Sequence, residues 1–224
     1  SSFFKNKINL SKVADPKLFI LNKKLHCTFN TGQPKGRDNK VFICVLNKVS
    51  VESYFECIYD QRVRVEKNWS FFYKKNKLHC LYSIYPLTIL KVDQYDKNKI
   101  HFIEDKKIEQ PITKGYTIGT PLLKVENVYY LIAHKKVFFK GKRLYYGCLF
   151  KLDLNNKVCM TKEKHILFHS IKSLFGDKFK FNKRLISCTY FSGLYMKEDK
   201  FIVSYGVNDI DWNLVELNKQ TLIK

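Results

Sequence analysis

The sequence predicts an all-β chain with a β-propeller fold and four blades recognisable in its 224 residues. Three observations lead there. Short β-branched and aromatic runs alternate with polar turns along the whole chain. One such run repeats: residues 23–30 (KKLHCTFN) return 53 positions later as residues 76–83 (NKLHCLYS). Looser copies follow at residues 127–134 and 199–206, and each copy has the same kind of neighbours before and after it.

The elements follow in order. Inner strands are expected at residues 16–21, 69–73, 121–125 and 190–196. Each leads through a polar turn into a second strand, at 24–30, 77–83, 128–134 and 200–206. Third strands fit 41–46, 87–92, 144–152 and 212–217, and a fourth, edge strand fits residues 100–104. The blades then occupy about 13–50, 66–105, 116–158 and 186–218 of a single domain. Residues 159–185 read as an insertion that carries a short helix around 169–175. A β-sandwich has similar short strands and turns, but the four-fold recurrence of one pattern favours the propeller.

Composition narrows the function classes. Hydrophobic residues make up 45% and aromatics 15%, too many for a disordered chain. No apolar run approaches the roughly 18 residues of a membrane-spanning helix. The charge is 41 − 20 = +21, from 36 Lys and only 5 Arg. The lysines are scattered among Asn, Ile, Phe and Tyr, residue types that share A/T-rich codons. That dispersal does not point to nucleic acid, whose partners usually cluster their basic residues. It does favour anions such as phosphorylated sugars. Seven cysteines form no CxxC pair, and Cys27, Cys44, Cys80 and Cys148 lie inside apolar runs. They read as core hydrophobes of a cytoplasmic protein. The six histidines lack metal-ligand spacing, so no metal site is expected.

In a propeller the inner strands surround one axis, so the residues that precede them converge. Asp15 lies ten positions before Leu25, and Asn68 ten before Leu78, which makes them equivalent. Gly119-Thr120 precedes the third inner strand. The second strands end at Asn30, Ser83, His134 and Gly206, with Asp209 three positions further on. Asp, Asn, Lys and His around a concave centre suit a sugar or phosphate site. Arg62 and Arg64 alternate and read as a solvated strand face.

Four of these segments resemble the family 130 glycoside hydrolases, the β-mannoside phosphorylases and their mannosyltransferase relatives. Ala14-Asp15-Pro16-Lys17 is similar to the family's Glu-Asp-Pro-Arg motif. Glu66-Lys67-Asn68-Trp69 is similar to its Lys-Asp segment. Gly119-Thr120-Pro121 with Leu131-Ile132-Ala133-His134, continuing into Tyr145–Asp153, is similar to its phosphate-binding strand pair. Ser204-Tyr205-Gly206-Val207-Asn208-Asp209 is similar to its last-blade Tyr-Gly-x-x-Asp motif. The chain differs in having Lys17 for the motif's Arg, Asn68 for an Asp, and Tyr82-Ser83 for a His-Arg pair.

The resemblance implies a carbohydrate-active enzyme that performs inverting glycosyl transfer to or from phosphate on a mannoside. Asp15 would be the catalytic acid. Lys67, His134 and Arg37 would bind phosphate, and Asn68, Asp209, Tyr205 and Trp69 would contact sugar. No cofactor is implied beyond inorganic phosphate or a sugar phosphate as co-substrate. The resemblance also implies a five-bladed propeller: family members carry about one more blade before the Asp-Pro motif, so another segment or a partner copy would complete the ring. Two alternatives stay open: a non-catalytic glycan- or polyanion-binding propeller, and a glycoside hydrolase of the same fold.

Overall fold

The computed structural model describes residues 10, 12–32, 36, 38–47, 50–155, 158–176, 180 and 182–223. The chain is nearly all β and divides into two compact units. The first comprises Ser1–Ser83 and Leu87–Ile108, and the second comprises Ile84–Pro86 and Glu109–Lys224.

The first unit contains two four-stranded antiparallel meanders of the propeller type. One runs through β1 (Ala14–Leu21), β2 (Lys24–Asn30), β3 (Val41–Asn47) and β4 (Ser50–Ile58). The other runs through β5 (Ser70–Lys74), β6 (Lys77–Ile84), β7 (Leu87–Asp96) and β8 (Lys99–Ile108). The strand order is β1-β2-β3-β4-β8-β7-β6-β5, with β4 and β8 joined in parallel from Glu56↔Lys99 to Ile58↔His101.

The 53-residue repeat holds at the level of side-chain pairs. His26 faces Phe19 across the β1–β2 ladder and stacks on it at 5.5 Å. His79 faces Phe72 across β5–β6 and stacks at 5.4 Å. Nδ1 of each ring lies 3.0 and 2.9 Å from the carbonyls of Lys24 and Lys77 respectively. The β1–β2 turn places Asn22 and Lys23 at positive φ, and the β5–β6 turn does the same with Lys75 and Asn76. Two consecutive left-handed residues match the right-handed twist of a tight hairpin.

Strands β2, β3, β6 and β7 each bury four or more consecutive residues, so both faces of the sheet are covered there. Val41, Ile43, Trp69, Phe71, Cys80, Leu90, Ile100 and Phe102 form the main core of this unit. Cys27, Phe29, Phe42, Cys44 and Val51 form a second cluster. Each large apolar side chain so buried stabilises the unit by about 1.5–3 kcal/mol. All seven cysteines are free thiols, and five are buried.

The second unit opens with two short strands, β9 (Tyr116–Ile118) and β10 (Leu123–Val125), which pair with the middle and the start of β11 (Val128–Phe139) respectively. Gly119 lies between them because a Cβ there would come 2.3 Å from the Ile132 carbonyl oxygen. Next come β12 (Lys142–Asp153) and β13 (Cys159–Ile166), then α1 (Ile171–Phe175). The three-stranded meander β14 (Leu185–Lys197), β15 (Lys200–Val207) and β16 (Asp211–Asn218) precedes α2 (Lys219–Leu222). β12 and β14 pair in parallel. The core here is built from Tyr130, Ile132, Leu149, Phe191, Phe201 and Val203.

All twelve expected main strands form, and so do the expected edge strand and the helix near residue 170. Three strands were not foreseen: β4, β9 and β13. β13 occupies the first part of the stretch read as an insertion, and it pairs with β12. Among the described residues no helix is long and apolar enough to cross a membrane.

Candidate functional site

Asp15 occupies a β-bulge. The β1–β2 register runs from Ala14↔Asn30 to Lys17↔Thr28, so Asp15 and Pro16 oppose the single residue Phe29. Pro16 has no N–H to give the ladder, and Asp15 takes a left-handed φ of 51°. Its carboxylate is held from one side, where Asn30 Nδ2 donates to Oδ2 at 3.1 Å. Asn30 is buried and is itself fixed by accepting the Gly32 N–H at 2.7 Å. Asn68, its equivalent before β5, also has positive φ, at 63°. Asp and Asn are the non-glycine residue types that tolerate this conformation best, which fits them to both positions.

Lys17 joins the two positions. It is 2% exposed, and its Nζ donates to Asn68 Oδ1 at 2.8 Å. Burial lowers its pKa from the usual 10.5 to about 7, Asp15 opposes that shift, and the nearby Lys67 ammonium adds to it. Lys67 is exposed. The first unit therefore gathers a carboxylate, a desolvated amine, an amide and an exposed cation. A buried amine with a second cation beside it suits an anionic ligand that neutralises them.

A buried carboxylate supports this cluster from below. Glu66 accepts from Tyr82 Oη at 2.6 Å, from the Val63 N–H at 2.7 Å and from Trp69 Nε1 at 3.0 Å. Its backbone is clamped by Asn39, whose Oδ1 accepts the Glu66 N–H at 2.7 Å and whose Nδ2 donates to the Glu66 carbonyl at 2.6 Å. Trp69, expected to contact sugar, is 2% exposed and packs edge-on against Tyr82 and Phe102. It is a core residue here. Arg62 and Arg64 lie in a loop rather than a strand, and Arg62 donates to Asn39 Oδ1 at 3.1 Å instead of standing in solvent. Arg37, expected to bind phosphate, lies outside the described residues.

His134 and Asp209 belong to the second unit. His134 is 8% exposed, pairs with Gly147 and Thr117 across its two ladders, and stacks on Tyr190 at 5.8 Å. Asp209 is exposed in the β15–β16 turn with a φ of 60°. Tyr205 faces a cavity of about 390 Å³ between the β15–β16 hairpin and the α1 segment. Asp211 and Phe168 also line it, and the sequence reading passed over both. The only sequence signal for Asp211 was its two-residue spacing from Asp209.

No protein-family model matches the chain, and no curated protein matches it. Solved structures do. A β-1,2-mannobiose phosphorylase from Listeria innocua, in complex with β-1,2-mannobiose, is similar with a TM-score of 0.61 at 14% identity. The match covers 93% of this chain and 59% of that one, so the chain spans little more than half of its length. A putative glycoside hydrolase from Bacteroides ovatus gives 0.63 at 13% identity, covering 95% and 70%. A glycosyl hydrolase from the same organism gives 0.63 at 12%, covering 95% and 66%. Likeness at these identities is likeness of fold, and the chain shares the all-β propeller fold.

Proposed function

We propose that the chain is a carbohydrate-active propeller that transfers a glycosyl group between a β-mannoside and phosphate. The observation that carries this reading is the Asp15–Lys17–Asn68 cluster with Lys67 beside it. Asp15 supplies the proton to the leaving oxygen. Lys67 attracts the phosphate, and Lys17 meets it as a buried donor whose charge the anion stabilises. Asn68 holds the Lys17 ammonium and hydrogen-bonds sugar hydroxyls with its amide. Phosphate is itself the nucleophile, so no second carboxylate is needed to activate water, in contrast to inverting hydrolysis. The motif resemblance and the fold of the Listeria innocua phosphorylase support the reading.

The test is release of free mannose from β-1,2-mannobiose with and without inorganic phosphate. The expected result is phosphate-dependent release that Asp15→Asn lowers by about 10²–10⁴-fold, the usual contribution of a general acid. Phosphate-independent release would indicate a hydrolase instead. Sugar binding without release would indicate a glycan-binding propeller.

A further inference from the structure

The 390 Å³ cavity of the second unit falls within the roughly 300–1,000 Å³ of small-molecule sites. One wall is the β15–β16 hairpin. Tyr205 pairs with Asn213 and Val207 with Asp211 across that ladder, so all four present the same face. The opposite wall is the segment that leads into α1, where Phe168 packs against the Tyr205 ring at 4.5 Å.

Several polar groups of the lining serve the architecture. The Asn208 amide is fully engaged: Oδ1 accepts the Cys188 N–H at 2.7 Å and Nδ2 donates to the Ser173 carbonyl at 3.0 Å. Ser170 and Ser173 form a reciprocal capping box that fixes α1 over the hairpin. Three groups are left over for a ligand. The Tyr205 hydroxyl and the Asn213 amide make no hydrogen bond among the described residues. Asp211 uses only Oδ1, which accepts the Trp212 N–H at 2.8 Å. Burial and the Asp211 charge both raise the Tyr205 pKa, so the phenol keeps its proton and remains a donor.

We propose that this cavity is a carbohydrate subsite for a neutral sugar ring, with vicinal hydroxyls bridging Asp211 and Asn213 and the apolar ring face against Phe168 and Tyr205. Asp211 accepts two hydroxyl protons, Asn213 both donates and accepts, and Tyr205 donates to a ring or hydroxyl oxygen. The Asp211 carboxylate sits beside the hydroxyl-binding groups of the lining and repels a phosphate from that position. The assignment rests on the carbohydrate reading above and adds to it a sugar site built wholly from the second unit.

The test is calorimetric titration of the full chain with β-1,2-mannobiose, with mannose 1-phosphate and with inorganic phosphate. Asn213→Ala and Tyr205→Phe should each weaken mannobiose binding by about five- to ten-fold, the loss of one or two hydrogen bonds. Both should leave phosphate binding and the melting temperature unchanged. Asn213→Trp, which fills the cavity from an exposed edge strand, should abolish mannobiose binding. Unchanged mannobiose affinity in all three variants overturns the subsite. So does a preference of the Asn213-dependent site for mannose 1-phosphate over mannobiose. If the variants bind normally while Asp15→Asn still loses turnover, the subsite falls and the phosphorolytic reading stands. If wild-type protein neither binds mannobiose nor cleaves it, both fall.

Discussion

Replacing Lys17 with Met tests whether a buried cation is retained at the expense of stability. The ammonium is 2% exposed, and its pKa is lowered from 10.5 to about 7, chiefly by burial. At about 1.4 kcal/mol per pH unit, holding the charged form inside the folded chain costs about 5 kcal/mol. Lys17→Met removes that cost. It also leaves Asn68 Oδ1 without its donor, which offsets about 1–3 kcal/mol. The variant should therefore be more stable than wild type by about 2–4 kcal/mol at pH 6. The pH dependence is the sharper prediction. Below pH 7 the folded and unfolded chains both carry the Lys17 proton, and the cost is full. Between pH 7 and 10.5 the unfolded chain still binds the proton and the folded chain has released it, so wild-type stability climbs. The margin of the variant should shrink by about 1.4 kcal/mol per pH unit over that window. Urea unfolding of both proteins at pH 6, 7, 8 and 9 measures it. Parallel stability curves, or a variant less stable than wild type at pH 6, would refute the reasoning. The same variant should lose its response to phosphate, because it removes the buried donor.

Three further changes probe the surroundings. Lys67→Ala should weaken phosphate binding by about ten-fold. It should also move the Lys17 transition to higher pH, because a repelling charge is gone; a pH series of phosphate titrations detects both. Glu66→Ala strands the buried Trp69 Nε1–H and removes the acceptor of the half-buried Tyr82 hydroxyl, and should lower stability by about 2–4 kcal/mol. A melting temperature near that of wild type would show that this network is not structural. Gly119→Ala brings a Cβ to 2.3 Å from the Ile132 carbonyl oxygen and about 3.0 Å from His134 Nδ1. A loss of about 2–4 kcal/mol is expected, since backbone cannot give way as a flexible side chain does. Chemical denaturation with an unchanged midpoint would contradict that.

The sequence made the repeat legible because residues 23–30 and 76–83 share an apolar pattern and a turn. The structure returns both as one hairpin, down to the His26–Phe19 and His79–Phe72 stacks. β4 was missed because Ser50–Ile58 mixes Glu52 and Glu56 with half-buried aromatics and shows no clean alternation. β13 was missed because Cys159–Ile166 carries three charged residues among eight, as an outer strand can when one face meets solvent. The equivalence of Asp15 and Asn68 was readable from spacing, and their shared left-handed backbone agrees with it. The burial of Lys17 was not readable. Nothing in the string ADPK says that one lysine among 36 lies under its neighbours, because burial is decided by the bulge and by Asn68, 51 positions away. Trp69 shows the opposite difficulty. Its motif suggested a ligand platform, whereas packing from Tyr82 and Phe102 and the Glu66 carboxylate determine where it lies.

The most direct test of the central claim is phosphorus NMR of the wild-type protein incubated with β-1,2-mannobiose and inorganic phosphate. Inverting transfer from a β-linkage to phosphate predicts a new phosphate-ester resonance from an α-anomeric sugar 1-phosphate, together with free mannose in equal amount. It should be absent without enzyme and strongly reduced in Asp15→Asn. A phosphate signal that stays unchanged while the disaccharide disappears would contradict the account by identifying water as the acceptor.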